Sequence, residues 1–327
     1  MSIRTERQTM NQPVCSIVIP TRDCLRYLPA TLASIDLQGR SDLEVVLVDD
    51  GSSDGTAEWA RNRPNSGFAL RVLETGGIGP SLARNAGVAA ASGCLIAFLD
   101  ADDLWWADKL NRQIAYHQAH PQTGMSFTDY IHLTPDGRTL GTCFAYWRCG
   151  WTTVADGAYF DVHDAEAKLL ACNVVGTSTV VVNRAVFLHA GGFMSGLPSA
   201  EDWDLWLRLA ALAPVACSAS VSMSYLMRPG SETSNRAKRV AALATIMARY
   251  EGRREPAIVN ALSRARARVD VGVAEIARDA GNPAGAAAAH MRAMMADPGW
   301  RTGRALAADV WQAIRWPLRA SGQPPQT

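Results

Sequence analysis

The chain has 327 residues and a formal net charge of +1, with 48% hydrophobic and 19% charged side chains. A composition this apolar excludes disorder and fibre, and a balance this even excludes a protein that works by neutralising nucleic-acid phosphates over its surface, so no nucleic-acid partner is expected. The balance conceals an asymmetry: residues 1–235 carry 17 basic and 24 acidic side chains and residues 236–327 carry 15 and 7, which points to two regions with separate tasks.

Seven scattered cysteines without C-x-x-C spacing argue against a disulfide framework or a zinc ribbon and for a reducing cytoplasm. Residues 1–12 lack an apolar core and read as a loose leader, not a secretory signal. The longest uncharged run, Leu209 to Met227, contains Pro214 and several serines, so no transmembrane helix is expected. Cys15–Pro20 and Leu43–Val48 are short β-branched runs that read as buried parallel strands, and Leu25, Leu28, Leu32 and Ile35 recur between them at helical spacing. Such a strand-helix-strand unit connects right-handedly. Asp54 is placed to cap a helix reaching Arg63, Ala69–Leu73 reads as a strand, Pro80 opens a helix ending near Gly93, and Cys94–Leu99 is the fourth strand. The alternation specifies a mostly parallel, Rossmann-like α/β sheet whose ligand loops lie at the C-terminal ends of the strands.

A helix is expected over Ala107–His120, then strands over Met125–Leu133 and Thr177–Asn183, separated by a long irregular stretch with Tyr146, Trp147, Trp151, Tyr159 and Phe160. That stretch suits recognition of an acceptor, or a small aromatic core beneath a loop. Ala200–Ala213 has helical periodicity, with Trp203, Leu205, Trp206, Leu209 and Ala210 apolar, and from Asn235 the composition turns to alanine and arginine with helical spacing.

Four stretches carry candidate chemistry. Val48–Thr56 fails as a calcium loop, because aligning Gly55 with the invariant glycine puts Ser52 and Arg61 at ligand positions; its carboxylates suit hydrogen bonds from a base or ribose, or a capped turn. In Thr75–Gly87, Leu82 stands where a dinucleotide fingerprint needs glycine or alanine, but Arg84 lies one turn inside a helix N-terminus, where it can join main-chain amides on a diphosphate or pair with a carboxylate. Asp100, Asp102 and Asp103 crowd three carboxylates after a buried strand, which favours a compensating hard cation, Mg²⁺ or Mn²⁺, over a solvated acidic turn. Glu201, Asp202 and Asp204 open a helix, where acids offset the helix dipole.

Taken in order, S-I-V-I-P-T at Ser16–Thr21, V-D-D-G-S-S-D-G-T at Val48–Thr56, G-x-x-x-A-R-N-x-G at Gly79–Gly87, D-A-D-D at Asp100–Asp103, and Gly191-Gly-Phe193 followed by Glu201–Arg208 resemble the inverting nucleotide-sugar glycosyltransferases of family 2, which have a GT-A fold. The resemblance covers residues 13 to 230. It implies a donor site at Pro20, Thr21, Asp50, Arg84, Asp100, Asp102 and Asp103, with Asp50 on the base, Arg84 near the diphosphate, and Asp102 as the metal ligand ahead of Asp100. It implies Asp202 as general base, with Glu201, Trp203 and Asp204 on the acceptor side, Glu201 and Asp204 being competitors for the base role. A UDP-sugar donor, a glycan or lipid-linked acceptor and a single inverting transfer are expected. The rival classes are a sugar nucleotidyltransferase and a catalytically silent nucleotide-binding module.

The chain departs from the family at Arg22-Asp23, where Tyr-Asn is common, and at Arg228 before Pro229-Gly230-Ser231, where many members have histidine. Gln312–Trp316 matches the letters of the processive Q-x-x-R-W motif but reads better as amphipathic helix. The expected organisation is the leader at 1–12, a GT-A domain at 13–234 with nucleotide half 13–105 and acceptor half 106–234, and a helical region at 235–327. Trp300, Arg301, Arg304, Trp311, Arg315, Trp316 and Arg319 mix tryptophan with arginine as interfacial helices do, so peripheral contact with an anionic membrane at the cytoplasmic face is expected, the alternative being an oligomerisation or packing region.

Overall fold

The computed structural model describes residues 12–64, 67–148, 151, 157–228 and 235–320, with main chain alone at 300, 301 and 315–320. The leader up to residue 11, the Pro229-Gly230-Ser231 segment and the side chains of Trp300, Arg301, Arg315, Trp316 and Arg319 lie outside the described residues. The chain forms two compact units. The first comprises the chain through His163, Val174–Ser195 and Arg208–Met227; the second comprises Asp164–Asn173, Gly196–Leu207 and the chain from Arg228.

The first unit begins with the expected alternation: β1 (Cys15–Thr21), α1 (Leu28–Asp36), β2 (Leu43–Asp49), α2 (Thr56–Asn62), β3 (Ala69–Glu74), α3 (Pro80–Ala90) and β4 (Leu95–Phe98). β1 lies parallel between β2 and β4, and β3 extends the sheet beyond β2. Thr21 pairs with Asp49 and Asp49 with Glu74, so three strands end level and their following loops open along one edge. Both faces of β1 are buried, which is why it reads as a continuous apolar run. Gly87 brings α3 against it: a Cβ there would stand 2.4 Å from Val18 Cγ1 and 3.1 Å from Val48 Cγ2, so only glycine permits this approach.

The chain continues through β5 (Leu104–Trp105), α4 (Lys109–Ala119), β6 (Met125–Leu133), β7 (Thr139–Thr142), α5 (Cys143–Trp147), β8 (Phe160–Asp161), α6 (Ala165–Ala171), β9 (Val181–Asn183), α7 (Arg184–His189), α8 (Glu201–Leu212) and β10 (Val215–Leu226). The sheet order is β3-β2-β1-β4-β9-β6-β10-β5, with β7 paired to β6 and β8 to β10. β9 runs antiparallel to both β4 and β6, while β10 is parallel to β6. The result is the mixed, mostly parallel α/β sheet that the sequence implied.

Three local expectations are corrected. Asp54 is not the N-cap of α2, which is Gly55 in the left-handed region; Asp54 takes the Thr56 amide with one oxygen and the Leu25 amide with the other, tying two loops together. Thr177–Asn183 is a strand only from Val181, because Thr179 and Val180 donate main-chain bonds to Gly176 and Thr177 and wind the first part into a 3₁₀ turn. The described part of the stretch after Leu133 contains β7, α5, β8 and α6, and its aromatics divide: Trp151 packs on Phe127 and Phe144 in the core, whereas Tyr146 and Trp147 are exposed.

The second unit is helical. α9 (Arg236–Ala248), α10 (Pro256–Asp279), α11 (Pro283–Ala296) and α12 (Trp300–Ala320) follow one another, and α10 packs on α6, α9 and α11. Ala274, Ala286 and Ala289 form a small-residue core. Beside it the buried Asp309 accepts from Arg278 and from His290 Nδ1 at 2.6 Å, so its charge is compensated inside the bundle. Among the described residues no helix is long and apolar enough to cross a membrane, and the described cysteines are unlinked.

Candidate functional site

The strand ends of the first unit carry the donor-side candidates. Asp50 follows β2, and its carboxylate is wrapped by the glycine-rich loop: Oδ1 accepts from Thr75 Oγ1 and the Ile78 amide, and Oδ2 from the Gly79 amide, each at 2.7 Å. Burial works to raise its pKa, but these donors outweigh burial and hold the carboxyl below its ordinary range, so it is an anion at neutral pH. Gly51 lets the two loops approach, since a Cβ on it would stand 3.4 Å from the Gly77 amide nitrogen at a φ of +82°. Pro20 and Thr21 close β1 beside this loop pair. The Thr21 hydroxyl and Asp49 Oδ2, register partners at the strand ends, are buried with no hydrogen-bond partner among the described residues, and buried polar atoms left in that state mark places where a ligand or water completes the bonding.

The departure at Arg22-Asp23 has a structural consequence. Asp23, at a φ of +49°, accepts from the Ser53 amide at 2.8 Å while its own amide donates to Ser52 Oγ, so it zips the loop after β1 to the loop after β2. The exposed Arg22 guanidinium lies beside the glycine-rich loop, 3.7 Å from where a Gly77 Cβ would be.

Arg84 and the acidic turn form the centre of the site. Arg84 is buried on α3 and donates through Nη2 to Asp100 Oδ1 at 2.7 Å, with its guanidinium 5.4 Å from the Phe193 ring centroid. The pairing with a carboxylate left open by the sequence is thus made to the first residue of D-A-D-D. Asn85, the next residue of the same motif, accepts from the Phe193 amide at 2.9 Å and donates to the Phe193 carbonyl at 2.8 Å. Arg208 donates to the carbonyls of Ala190 and Gly192, so the turn before Phe193 is held from two sides. These positioning roles of Asn85, Phe193 and Arg208 escaped the sequence reading, although the motif letters flagged their neighbourhood.

Asp103 differs from its neighbours. It is buried, accepts from Ser178 Oγ at 2.5 Å, and its carboxyl is pushed well above the ordinary range, first by burial and then by the charges of Asp100 and Asp102. The crowding of three carboxylates is therefore relieved within the protein by Arg84 on Asp100, and Asp102 is the half-buried carboxylate between the paired Asp100 and the buried Asp103. Among the described residues no group of three or more histidine, cysteine, aspartate or glutamate side chains could hold a metal ion by itself.

The acceptor-side candidates lie in the second unit, on the first turn of α8. Trp203 is buried and donates its indole N–H to the Leu169 carbonyl at 2.8 Å, and the buried Asp204 is paired with Arg249 of α9. Asp202 and Glu201 are half-buried, and Asp202 Oδ1 accepts from the Trp203 amide at 2.6 Å. Trp203 and Asp204 thus anchor the turn in its unit.

A sequence profile described as Glycosyl transferase family 2 matches residues 16–142. A PGL/p-HBAD biosynthesis glycosyltransferase of Mycobacterium bovis is 40% identical over 201 residues, which are 61% of this chain and 70% of that protein. The chain belongs to glycosyl transferase family 2. It spans 31% of an uncharacterized glycosyltransferase of Rickettsia conorii, at 25% identity over 205 residues. Its fold is of the GT-A type. A mannosyltransferase from Pyrobaculum calidifontis, solved with GDP-Man and Mn²⁺, superposes with a TM-score of 0.62 at 21% identity, over 95% of this chain and 83% of that one. Residues 1–349 of TarS from S. aureus, solved with UDP-GlcNAc, superpose with a TM-score of 0.60 at 18% identity, over 86% of this chain and 91% of that one.

Proposed function

We propose that this protein transfers one sugar, with inversion, from a nucleotide-sugar to a hydroxyl of a glycan or lipid-linked glycan. The observation that carries the reading is the acidic turn at Asp100–Asp103, set at the C-terminal edge of a parallel sheet and fixed by Arg84 through Asp100. Thr21, whose hydroxyl has no partner among the described residues, and Asp50, whose carboxylate is held by the glycine-rich loop, contact the nucleoside. A uridine diphosphate sugar is the first donor to try; the related folds were solved with UDP-GlcNAc in one case and GDP-Man in the other.

The residues fit a divalent cation of the Mg²⁺ or Mn²⁺ kind. Such ions are held by one or two carboxylates together with substrate phosphates, not by an all-protein cage, and the turn offers Asp102 and Asp100 without a third ligand among the described residues. When bound, the ion supplies charge neutralisation for the departing diphosphate. Arg84 orients Asp100 and adds positive charge beside the phosphates. Asp202 removes the proton of the acceptor hydroxyl as its oxygen bonds to the anomeric carbon, and the bond to the diphosphate breaks with its electron pair leaving on the nucleotide. One displacement inverts the anomeric centre.

The exposed apolar residues of the helical unit support contact with an anionic membrane surface. Trp311 is 56% and Ile314 64% exposed on α12, Met295 is 79% exposed on α11, and the region from residue 236 carries 15 basic and 7 acidic side chains. Flotation with vesicles containing phosphatidylglycerol should show binding at low salt that weakens at high salt; no binding at either salt refutes the contact.

The transferase reading is tested by melting the protein with UDP, GDP, dTDP and CDP, each with and without Mn²⁺. Ligand at a hundred times its Kd adds about 2.7 kcal/mol, which should raise the midpoint by roughly 5–10 °C. A shift with one diphosphate that requires Mn²⁺ and is lost in Asp102→Asn is the expected result. No shift with any of them overturns the reading.

A further inference from the structure

The acidic turn does not hold its own shape. Its main chain closes with one bond, from the Asp103 amide to the Asp100 carbonyl at 3.1 Å. Thr31 Oγ1 of α1 donates to the Ala101 carbonyl at 2.9 Å and Arg84 holds the Asp100 carboxylate, and the fastenings at the two ends of the turn converge on one residue of the turn before β9, 78 positions further along the chain. Ser178 Oγ accepts from the Asp100 amide at 3.0 Å and donates to Asp103 Oδ2 at 2.5 Å, and the Ser178 carbonyl accepts from the Trp105 indole N–H at 2.6 Å. Both ends of the D-A-D-D segment and the Trp105 indole are therefore tied to a single serine, while the Trp105 amide donates to Ser34 Oγ at 3.2 Å.

We propose that Ser178 is a positioning residue for the reaction: it holds the turn at residues 100–105 so that Asp100 and Asp102 face the diphosphate and its cation. The assignment rests on the transferase reading given above. Three features make Ser178 suited to the task. It is fully buried, so it touches no substrate and its single proton has no competing solvent acceptor. Its own turn is rigid: Thr179 closes on Gly176 through both amide and hydroxyl, and a Cβ on Gly176 would stand 2.9 Å from the Tyr130 ring, so the turn is wedged against β6. Its bonds divide the labour with Arg84, since Arg84 takes the Asp100 carboxylate and Ser178 takes the Asp100 main chain. Asp102 lies between the two tied residues, on main chain that they hold in place. The buried Asp103 then serves as the second anchor of the turn, bonded to Ser178, not to a ligand.

The test compares wild type, Ser178→Ala, Ser178→Thr and Asp102→Asn in full-length protein, titrated with UDP and GDP over a range of Mn²⁺ concentrations. Ser178→Ala should weaken the metal-dependent binding about tenfold, the size of one lost buried hydrogen bond, and excess Mn²⁺ should recover much of it. Ser178→Thr keeps the hydroxyl and should bind more tightly than the alanine variant, whereas Asp102→Asn should stay weak at every Mn²⁺ concentration. A loss of global stability alone would not be recovered by metal. Amide hydrogen exchange of the ligand-free protein gives a second readout, in which the segment at 100–103 should exchange at least tenfold faster in Ser178→Ala. Unchanged nucleotide affinity in Ser178→Ala, or unchanged exchange at 100–103, overturns the proposal. Absence of metal-dependent nucleotide binding in the wild type overturns the transferase reading instead, and the exchange data then decide alone whether Ser178 holds the turn.

Discussion

Lys109 opens α4 just beyond the acidic turn, and its ammonium is buried. Nζ donates to Gln113 Oε1 at 2.7 Å and lies 4.2 Å from the Trp105 ring centroid, and no carboxylate pairs with it among the described residues. Burial pushes its pKa from 10.5 down to about 7; the facing Cys15 thiol, itself pushed up to about 12 by burial, remains neutral across the range of interest. Because the folded pKa is depressed, the unfolded chain binds one more proton than the folded protein between about pH 7 and pH 10.5, and stability rises with pH in that window. The slope approaches about 1.4 kcal/mol per pH unit, and with half of the lysines already neutral near pH 7 the gain from pH 7 to pH 9 is about 2 kcal/mol. Lys109→Met keeps the straight chain and removes the charge, so its stability should lack this rise. At about 2–4 °C per kcal/mol for a unit of this size, the melting temperature of wild type should climb by roughly 4–8 °C more than that of Lys109→Met over the same interval. Calorimetry of both proteins at pH 7, 8 and 9 measures the difference, in which groups common to both cancel. Parallel pH profiles would show that the lysine is solvated in the folded state and would refute the reasoning.

Gly87→Ala inserts a Cβ 2.4 Å from Val18 Cγ1; overpacking of about 1–3 kcal/mol, set against about 1 kcal/mol of helix propensity, should lower the melting temperature and shift Arg84, weakening nucleotide binding in a titration. Arg84→Met removes the charge-assisted bond to Asp100, and diphosphate affinity measured by calorimetric titration should fall about 10–100-fold. Asp202→Asn should reduce sugar transfer by about 10²–10⁴-fold in a turnover assay while leaving the melting temperature in place. Asp204→Asn should do the reverse, lowering stability by about 1–3 kcal/mol, because it uncouples a buried carboxylate from an Arg249 that is 39% exposed and able to rehydrate.

Much of the first unit was legible because its strands are buried on both faces, so β-branched runs closed by Pro20 and Asp49 stood out without any alternation to interpret. The helices between them followed from apolar spacing and from Pro80 at a helix start. β10 was invisible for the opposite reason. Its serines interrupt the apolar run, and register shifts after Ser218 and Val221 break the period of two that would have marked it, yet it pairs with both β6 and β5 inside the sheet. The Thr177–Thr179 turn was hidden in a β-branched segment because its conformation is decided by bonds to Gly176, which no propensity encodes.

The site divides along the same line. Sequence by itself determined which groups stand at the strand ends, since Asp50, Arg84 and Asp100–Asp103 follow buried strands or open a helix at readable positions. Only the tertiary structure decided what each group does there. Three nearby carboxylates look alike as letters, but Asp100 is paired to Arg84 and Asp103 is buried on Ser178, so their surroundings and roles separate. Likewise Asp202 and Asp204 share a helical turn, and the partner that distinguishes them is Arg249, 45 residues away in the chain. Local sequence sets backbone preference and the supply of functional groups. Burial and long-range pairing set their ionisation and direction, because those depend on which distant segments fold against them.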